Sequence, residues 1–96
     1  MPSKPLDWSK RASAELLRIV EFYTIEASKL IAHDALDSVV SATLAIQKNP
    51  LMSREGKKNG TREYIIRRFP YVVVYRIDAH KIQIIRVLHQ AGRYFN

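Results

Sequence analysis

From Ser9 onward, apolar residues recur every three or four positions. Ala12, Leu16, Ile19, Tyr23 and Ala27 form one stripe, and Glu15, Arg18, Glu21 and Glu26 supply a wetter face. The spacing predicts an amphipathic helix with Ser9 as its cap. A second periodic run, Leu36, Val39 or Val40, Thr43, Leu44 and Ile46 or Gln47, continues until Asn49 and Pro50 stop it. The break between the two runs is expected near 28–32. No glycine marks it, so one long or kinked helix stays open beside the antiparallel hairpin, which would bury both stripes against each other and a sheet. Upstream, 4–8 reads as a short extended segment, because Pro2 and Pro5 oppose an early helix.

After the helices the period changes. The stretch 51–61, with Arg54, Gly56, Lys57, Lys58, Asn59 and Gly60, reads as a mobile basic loop. Three strands are expected at 62–68, 71–77 and 81–88, separated by connections short enough for an antiparallel meander. In the middle strand Tyr71, Val73, Tyr75 and Ile77 share one face, and Val72, Val74 and Arg76 share the other. Both faces are largely apolar. Helices can cover one, which leaves the other for a second protein or a second copy. The fold expected is therefore α+β: an N-terminal helical hairpin packed on a small antiparallel sheet, in one domain spanning 1–96.

Composition narrows the partners. The 96 residues include 16 Lys and Arg against 9 Asp and Glu, a formal charge of +7. Residues 1–48 hold six basic and six acidic side chains, whereas 49–96 hold ten and three. The positive field thus belongs to the second half, where it suits an acidic protein segment or a nucleic acid. A membrane surface ranks last, because the cations cluster in a loop and strands and not opposite an apolar helix face. No run is long enough to span a bilayer and 1–8 holds no signal-peptide core, so a cytoplasmic protein without a membrane partner is expected. With no cysteine in the chain, disulfides, thiol nucleophiles and thiolate metal sites are excluded.

Candidate chemistry is sparse. His33, His80 and His89 have no metal-ligand spacing, no Gly-x-Ser-x-Gly occurs, and Gly56-Lys57 lacks the rest of a phosphate-binding loop. No metal, cofactor or catalytic residue is therefore assigned. Arg62, Arg67, Arg68, Arg86 and Arg93 offer rigid donor forks, and Tyr64, Tyr71 and Tyr94 offer stacking faces. An RNA-cleaving surface would also need an acid/base pair, for which His89 is a lone candidate.

Several pieces in this order resemble the RelE/ParE superfamily of type II toxins, and within it the ParE branch. They are Trp8 before the helix near Ala12, the Asn49-Pro50 terminus, Thr61-Arg62-Glu63, the run from Pro70 through Tyr71-Val72-Val73-Val74-Tyr75-Arg76-Ile77, and Arg86-Val87-Leu88-His89. The resemblance spans Trp8 to Arg93. It implies a helical hairpin on a sheet whose N-terminal strand joins the three later ones. It further implies a toxin neutralised by the C-terminal segment of a cognate antitoxin in a hetero-oligomer. ParE-like members poison DNA gyrase, and RelE-like members cleave messenger RNA on the ribosome. RelE-like nucleases commonly carry Arg after the aromatic that starts the middle strand, where this chain has Val72. The expected function is accordingly noncatalytic gyrase inhibition. The alternatives are a ribosome-dependent endoribonuclease, in which Arg93 clamps phosphate and His89 or Tyr94 assists, and a non-toxic regulatory homologue. Arg67, Arg68, Arg86, His89, Arg93 and Tyr94 are the candidate target or RNA contacts, and Arg62, Tyr64 and Arg76 the candidate antitoxin contacts.

Overall fold

The computed structural model describes residues 3–91. In chain order it contains β1 (Leu6–Trp8), α1 (Lys10–Glu26), α2 (Lys29–Lys48), β2 (Arg54–Glu55), β3 (Arg62–Ile65), β4 (Tyr71–Ile77) and β5 (Ile82–His89). The five strands form one sheet in the order β1-β5-β4-β3-β2. The pairs β2–β3, β3–β4 and β4–β5 are antiparallel, as the meander requires, while β1 joins the far side of β5 in parallel. A parallel partner needs a long crossover, and the helical hairpin plus the meander supplies it.

Each helix starts on a serine. The Ser9 hydroxyl accepts from Ala12 N at 3.0 Å and the Ser28 hydroxyl from Ile31 N at 3.1 Å, so each answers one of the orphan donors of a first turn. Extended backbone at Ser28 breaks the chain into two helices without a glycine, which removes the single-helix alternative. α1 ends where Ala27 N–H donates back to the Tyr23 carbonyl. α2 ends at Asn49, with Pro50 beyond it.

The core lies between the hairpin and one face of the sheet. Tyr71, Val73 and Tyr75 from β4 and Ile82, Ile84 and Val87 from β5 meet Ala12 and Ile19 of α1 and Ala35, Val39, Ala42 and Ile46 of α2. Leu16 and Tyr23 pack against this cluster while staying partly exposed. The phase of α2 departs from expectation: Val40 and Leu44 face outward, while Ala32, Ala35, Val39, Ala42, Thr43 and Ile46 face inward. Small residues let packed elements approach closely, so Ala32, Ala35 and Ala42 share the inner face with Val39 and Ile46 while Val40 and Leu44 stay outside.

The sheet has three local features that bear on function. First, the register shifts between Val74 and Tyr75, which pair with Arg86 and Ile84, so Ile85 is the extra residue of a bulge. Ser9 satisfies the carbonyls there: its N–H donates to Ile84 O at 2.9 Å and its hydroxyl to Ile85 O at 2.8 Å. Second, beyond β1 the edge of β5 is closed by a side chain, with the Glu15 carboxylate accepting from Val87 N at 3.0 Å. Third, the predicted 62–68 strand stops at Ile65, because Ile66 N donates to Tyr71 O and Tyr71 N to Phe69 O across a tight turn. Arg67 and Arg68 therefore lie in a connection. The 51–61 stretch is more ordered than a mobile loop, since Arg54 and Glu55 pair with Glu63 and Arg62. Gly56 sits so close to the Thr61 hydroxyl that a Cβ there would clash, and Gly60 turns the chain at φ +78°.

Candidate functional site

Two concavities of different chemistry flank the sheet. On the face away from the helices, β4 and β5 present Val74, Arg76, Gln83 and Leu88, with the bulge residue Ile85 beside them. These residues line a cavity of about 400 Å³ whose walls come from the start of α1, with Ser9 and Arg11, and from the β2–β3 hairpin, with Lys57, Lys58, Thr61 and Glu63. Its floor is aliphatic and its rim is basic. The two carboxylates beside it are both engaged. Buried Glu63 binds the Arg54 guanidinium at 3.2 Å, and Glu15 holds Arg86 through contacts at 2.7, 3.0 and 3.2 Å. Arg11, Lys58 and Arg76 are exposed and have no acidic partner among the described residues.

The second concavity follows the outer edge of the sheet. β2 covers only Arg62 and Glu63 of β3, so the edge is open at Tyr64 and Ile65. Ser38, Ser41 and Ala42 of α2 face Tyr64, Ile65 and Arg67 across a cleft, and Met52, Ser53 and Arg54 continue it past the hairpin. Small side chains on α2 leave room there. Leu51, Met52 and Ile65 are exposed, as are Val40 and Leu44 on α2.

The candidate residues read from the sequence do not converge. Arg76 and Arg86 reach the open-face cavity, and Tyr64, Arg67 and Arg68 line the edge cleft. Arg68 turns toward α2, where it pairs with Asp34 at 2.8 Å and lies over the Phe69 ring. Arg62 is a clamp, donating to the Ser53 carbonyl at 2.7 Å and so holding the segment before β2. His89 sits opposite Tyr71 in the strand pair and packs edge-on against its ring, on the helix-side face. The His89 Nδ1 accepts from Ala91 N at 3.1 Å. Arg93 and Tyr94 lie outside the described residues. Arg11, Lys58, Glu63 and Ile85 were not singled out from the sequence. Only the alternation of Val74 and Arg76 pointed to their face, and no local spacing connects Arg11 with a strand more than sixty positions away.

Perturbed acidities follow packing and turns. Burial, reinforced by the Tyr23 hydroxyl, raises the Tyr71 phenol well above its ordinary range, and burial likewise raises Tyr75, whose hydroxyl donates to Pro50 O at 2.6 Å. Asp78 is lowered because its carboxylate accepts from the backbone N–H groups of His80 and Lys81 in the β4–β5 turn. Among the described residues no group of three or more His, Cys, Asp or Glu side chains could hold a metal ion, and no helix is long and apolar enough to cross a membrane.

A helical hairpin on one face of a β1-β5-β4-β3-β2 sheet defines the RelE/ParE-like class of α+β proteins. The chain belongs to the ParE toxin family of type II (parDE) toxin-antitoxin systems, whose profile matches residues 6–94. Its fold is similar to a chain of the chromosomal ParDE toxin-antitoxin system from P. aeruginosa, at 25% identity and a TM-score of 0.83 over 91% of this chain and 96% of that one. It also resembles a chain of the E. coli DinJ-YafQ toxin-antitoxin complex, at 11% identity and a TM-score of 0.60 over 95% and 97% of the two chains. An E. coli YafQ variant aligns at 12% identity and a TM-score of 0.58 over 93% and 96%. The YafQ likenesses show the shared fold. No curated protein sequence matches the chain significantly.

Proposed function

We propose that this toxin inhibits DNA gyrase by binding, without a catalytic step, stabilises the cleaved-DNA intermediate, and is neutralised by the C-terminal segment of a cognate antitoxin. The reading entails a cytoplasmic protein held in a toxin-antitoxin hetero-oligomer. Membership of the ParE family supports it, and one observation carries the noncatalytic part. On the open face of the sheet the two nearby carboxylates are tied to arginines, and His89 belongs to the opposite face. What that face offers is shape and positive charge, the requirements of protein recognition and not of proton transfer. The antitoxin is assigned to the other concavity. A strand from it would pair with β3 at Tyr64 and Ile65, and its side chains would enter the cleft against α2.

The test is the formation of covalent gyrase-DNA complexes by the purified free protein, run beside cleavage of ribosome-bound messenger RNA. Accumulated covalent complexes with intact RNA support the reading. Intact gyrase turnover with cut RNA, lost in Arg93→Ala, would hand the function to the nuclease alternative, and inactivity in both assays would favour a non-toxic homologue.

A further inference from the structure

The open-face cavity distinguishes between two kinds of acidic partner. Its floor is made by Val74, Ile85 and Leu88, and its unpaired cations Arg11, Lys58 and Arg76 stand around that floor. Nucleic acid would use the cations but finds little else. No aromatic side chain lines the cavity, whereas single strands are held by stacking bases on aromatic faces. An extended polypeptide fits better, because side chains alternate along it: aliphatic groups can enter the floor while carboxylates reach the rim.

We infer that this cavity seats an extended segment of the toxin's target in which acidic and aliphatic residues alternate. The assignment rests on the proposed function. It names the target as occupant because the cavity lies on the sheet face opposite the helices, whereas the edge cleft assigned to the antitoxin lies between α2 and β3. Charge complementarity supplies the second argument. Of the unpaired rim cations, Lys58 and Arg76 belong to the second half that concentrates the +7 and Arg11 joins them from the start of α1, and all three are available to an acidic chain.

The probe is a fluorescent ten-residue peptide alternating glutamate and leucine, titrated by anisotropy against the full chain and against the double variant Lys58→Glu, Arg76→Glu. Both changed residues are exposed, and unfolding curves verify that the variant is folded. Wild type should bind the peptide, more weakly as salt rises, and the variant should lose about tenfold or more in affinity. The folded variant should also fail to raise covalent gyrase-DNA complexes. Equal peptide binding by both proteins would overturn the proposal. So would tighter binding of a thymidine oligonucleotide that is lost in the variant, which would make the face a nucleic-acid surface. If wild type and variant poison gyrase equally, the cavity assignment falls while the proposed function stands. If wild type does not poison gyrase, the proposed function falls, the target assignment falls with it, and the peptide titration still decides the chemistry of the cavity.

Discussion

The sheet and the helices distribute their large side chains differently. β4 and β5 turn Tyr71, Val73, Tyr75, Ile82 and Ile84 inward and set Arg76 and Arg86 on the open face or at its edge. α1 and α2 turn Ile19, Val39 and Ile46 inward among alanines and also carry Leu17, Phe22, Ile25, Leu30, Val40 and Leu44 on their exposed surfaces. Burial of apolar area is what stabilises a small domain, and most of the largest fully buried side chains come from β4 and β5. The hairpin contributes a close-packed lid and keeps apolar surface available to a partner. The charges divide the same way: the first 48 residues are balanced, and the excess of cations belongs to the part that builds the sheet. One surface is thus suited to salt-insensitive apolar contact, and the other to steering of acidic groups.

The largest expected effect breaks the sheet side of this contrast. Tyr75 is fully buried and its hydroxyl bonds the Pro50 carbonyl, so Tyr75→Ala leaves both a cavity and an unmet acceptor. A loss of about 3–5 kcal/mol in urea unfolding is expected. On the helix side the sensitive change runs the other way. Ala35 is 1% exposed between closely packed elements, and Ala35→Leu should cost about 1–3 kcal/mol through overpacking, read by the same unfolding curves. A stabilised Ala35→Leu would show that the hairpin is loosely packed.

These two sites also show what the sequence made legible. The β-branched and aromatic run of β4 marks its own limits, because such residues fit a pleated, buried strand and Pro70 and Asp78 punctuate its ends. Ser9 likewise announces the start of α1. The phase of α2 was partly legible from hydrophobicity: the periodic run offered Val39 or Val40, Thr43, Leu44 and Ile46 or Gln47, of which Val39, Thr43 and Ile46 are buried, whereas Ala32, Ala35 and Ala42 join them through close helix packing and Leu44 stays outside. β2 left no apolar signature because its two residues are held by pairing with Glu63 and Arg62 and not by burial. The parallel pairing of β1 depends on the whole chain having crossed over. The cavity was half legible: alternation places Val74 and Arg76 on one face, whereas Arg11, Lys58 and Glu63 join it only through the tertiary fold.

A smaller effect sharpens the contrast. Leu44 is 54% exposed, so Leu44→Ser should change folding stability by no more than about 0.5 kcal/mol. Unchanged stability is the expected result. A loss of stability comparable to that of Ala35→Leu would instead place Leu44 in the packing of the hairpin.

Acidity gives the smallest and most local tests. The folded pKa of Tyr71 is raised above the ordinary 10.0, so the folded state keeps a proton that the unfolded chain releases. Its contribution is full below pH 10.0 and declines as the pH rises beyond it. Tyr71→Phe should flatten part of the alkaline fall in unfolding midpoint. Asp78 runs the opposite way: with its folded pKa held below the ordinary 3.8, its contribution is full above that value and is lost as the pH falls through the folded pKa. Asp78→Asn should therefore lower the midpoint slightly at neutral pH and leave it almost unchanged at the acid extreme, which blunts the acid limb.

The separation of two binding surfaces is tested most directly by calorimetric titration of the cognate antitoxin into three folded proteins: wild type, the edge variant Ile65→Ser, Arg67→Ser, whose residues both line the cleft, and the cavity variant Lys58→Glu, Arg76→Glu. The edge variant should bind about tenfold or more weakly, equivalent to ~1.4 kcal/mol, while the cavity variant stays within about threefold of wild type. The reverse pattern, with antitoxin affinity lost in the cavity variant and kept in the edge variant, would contradict the account.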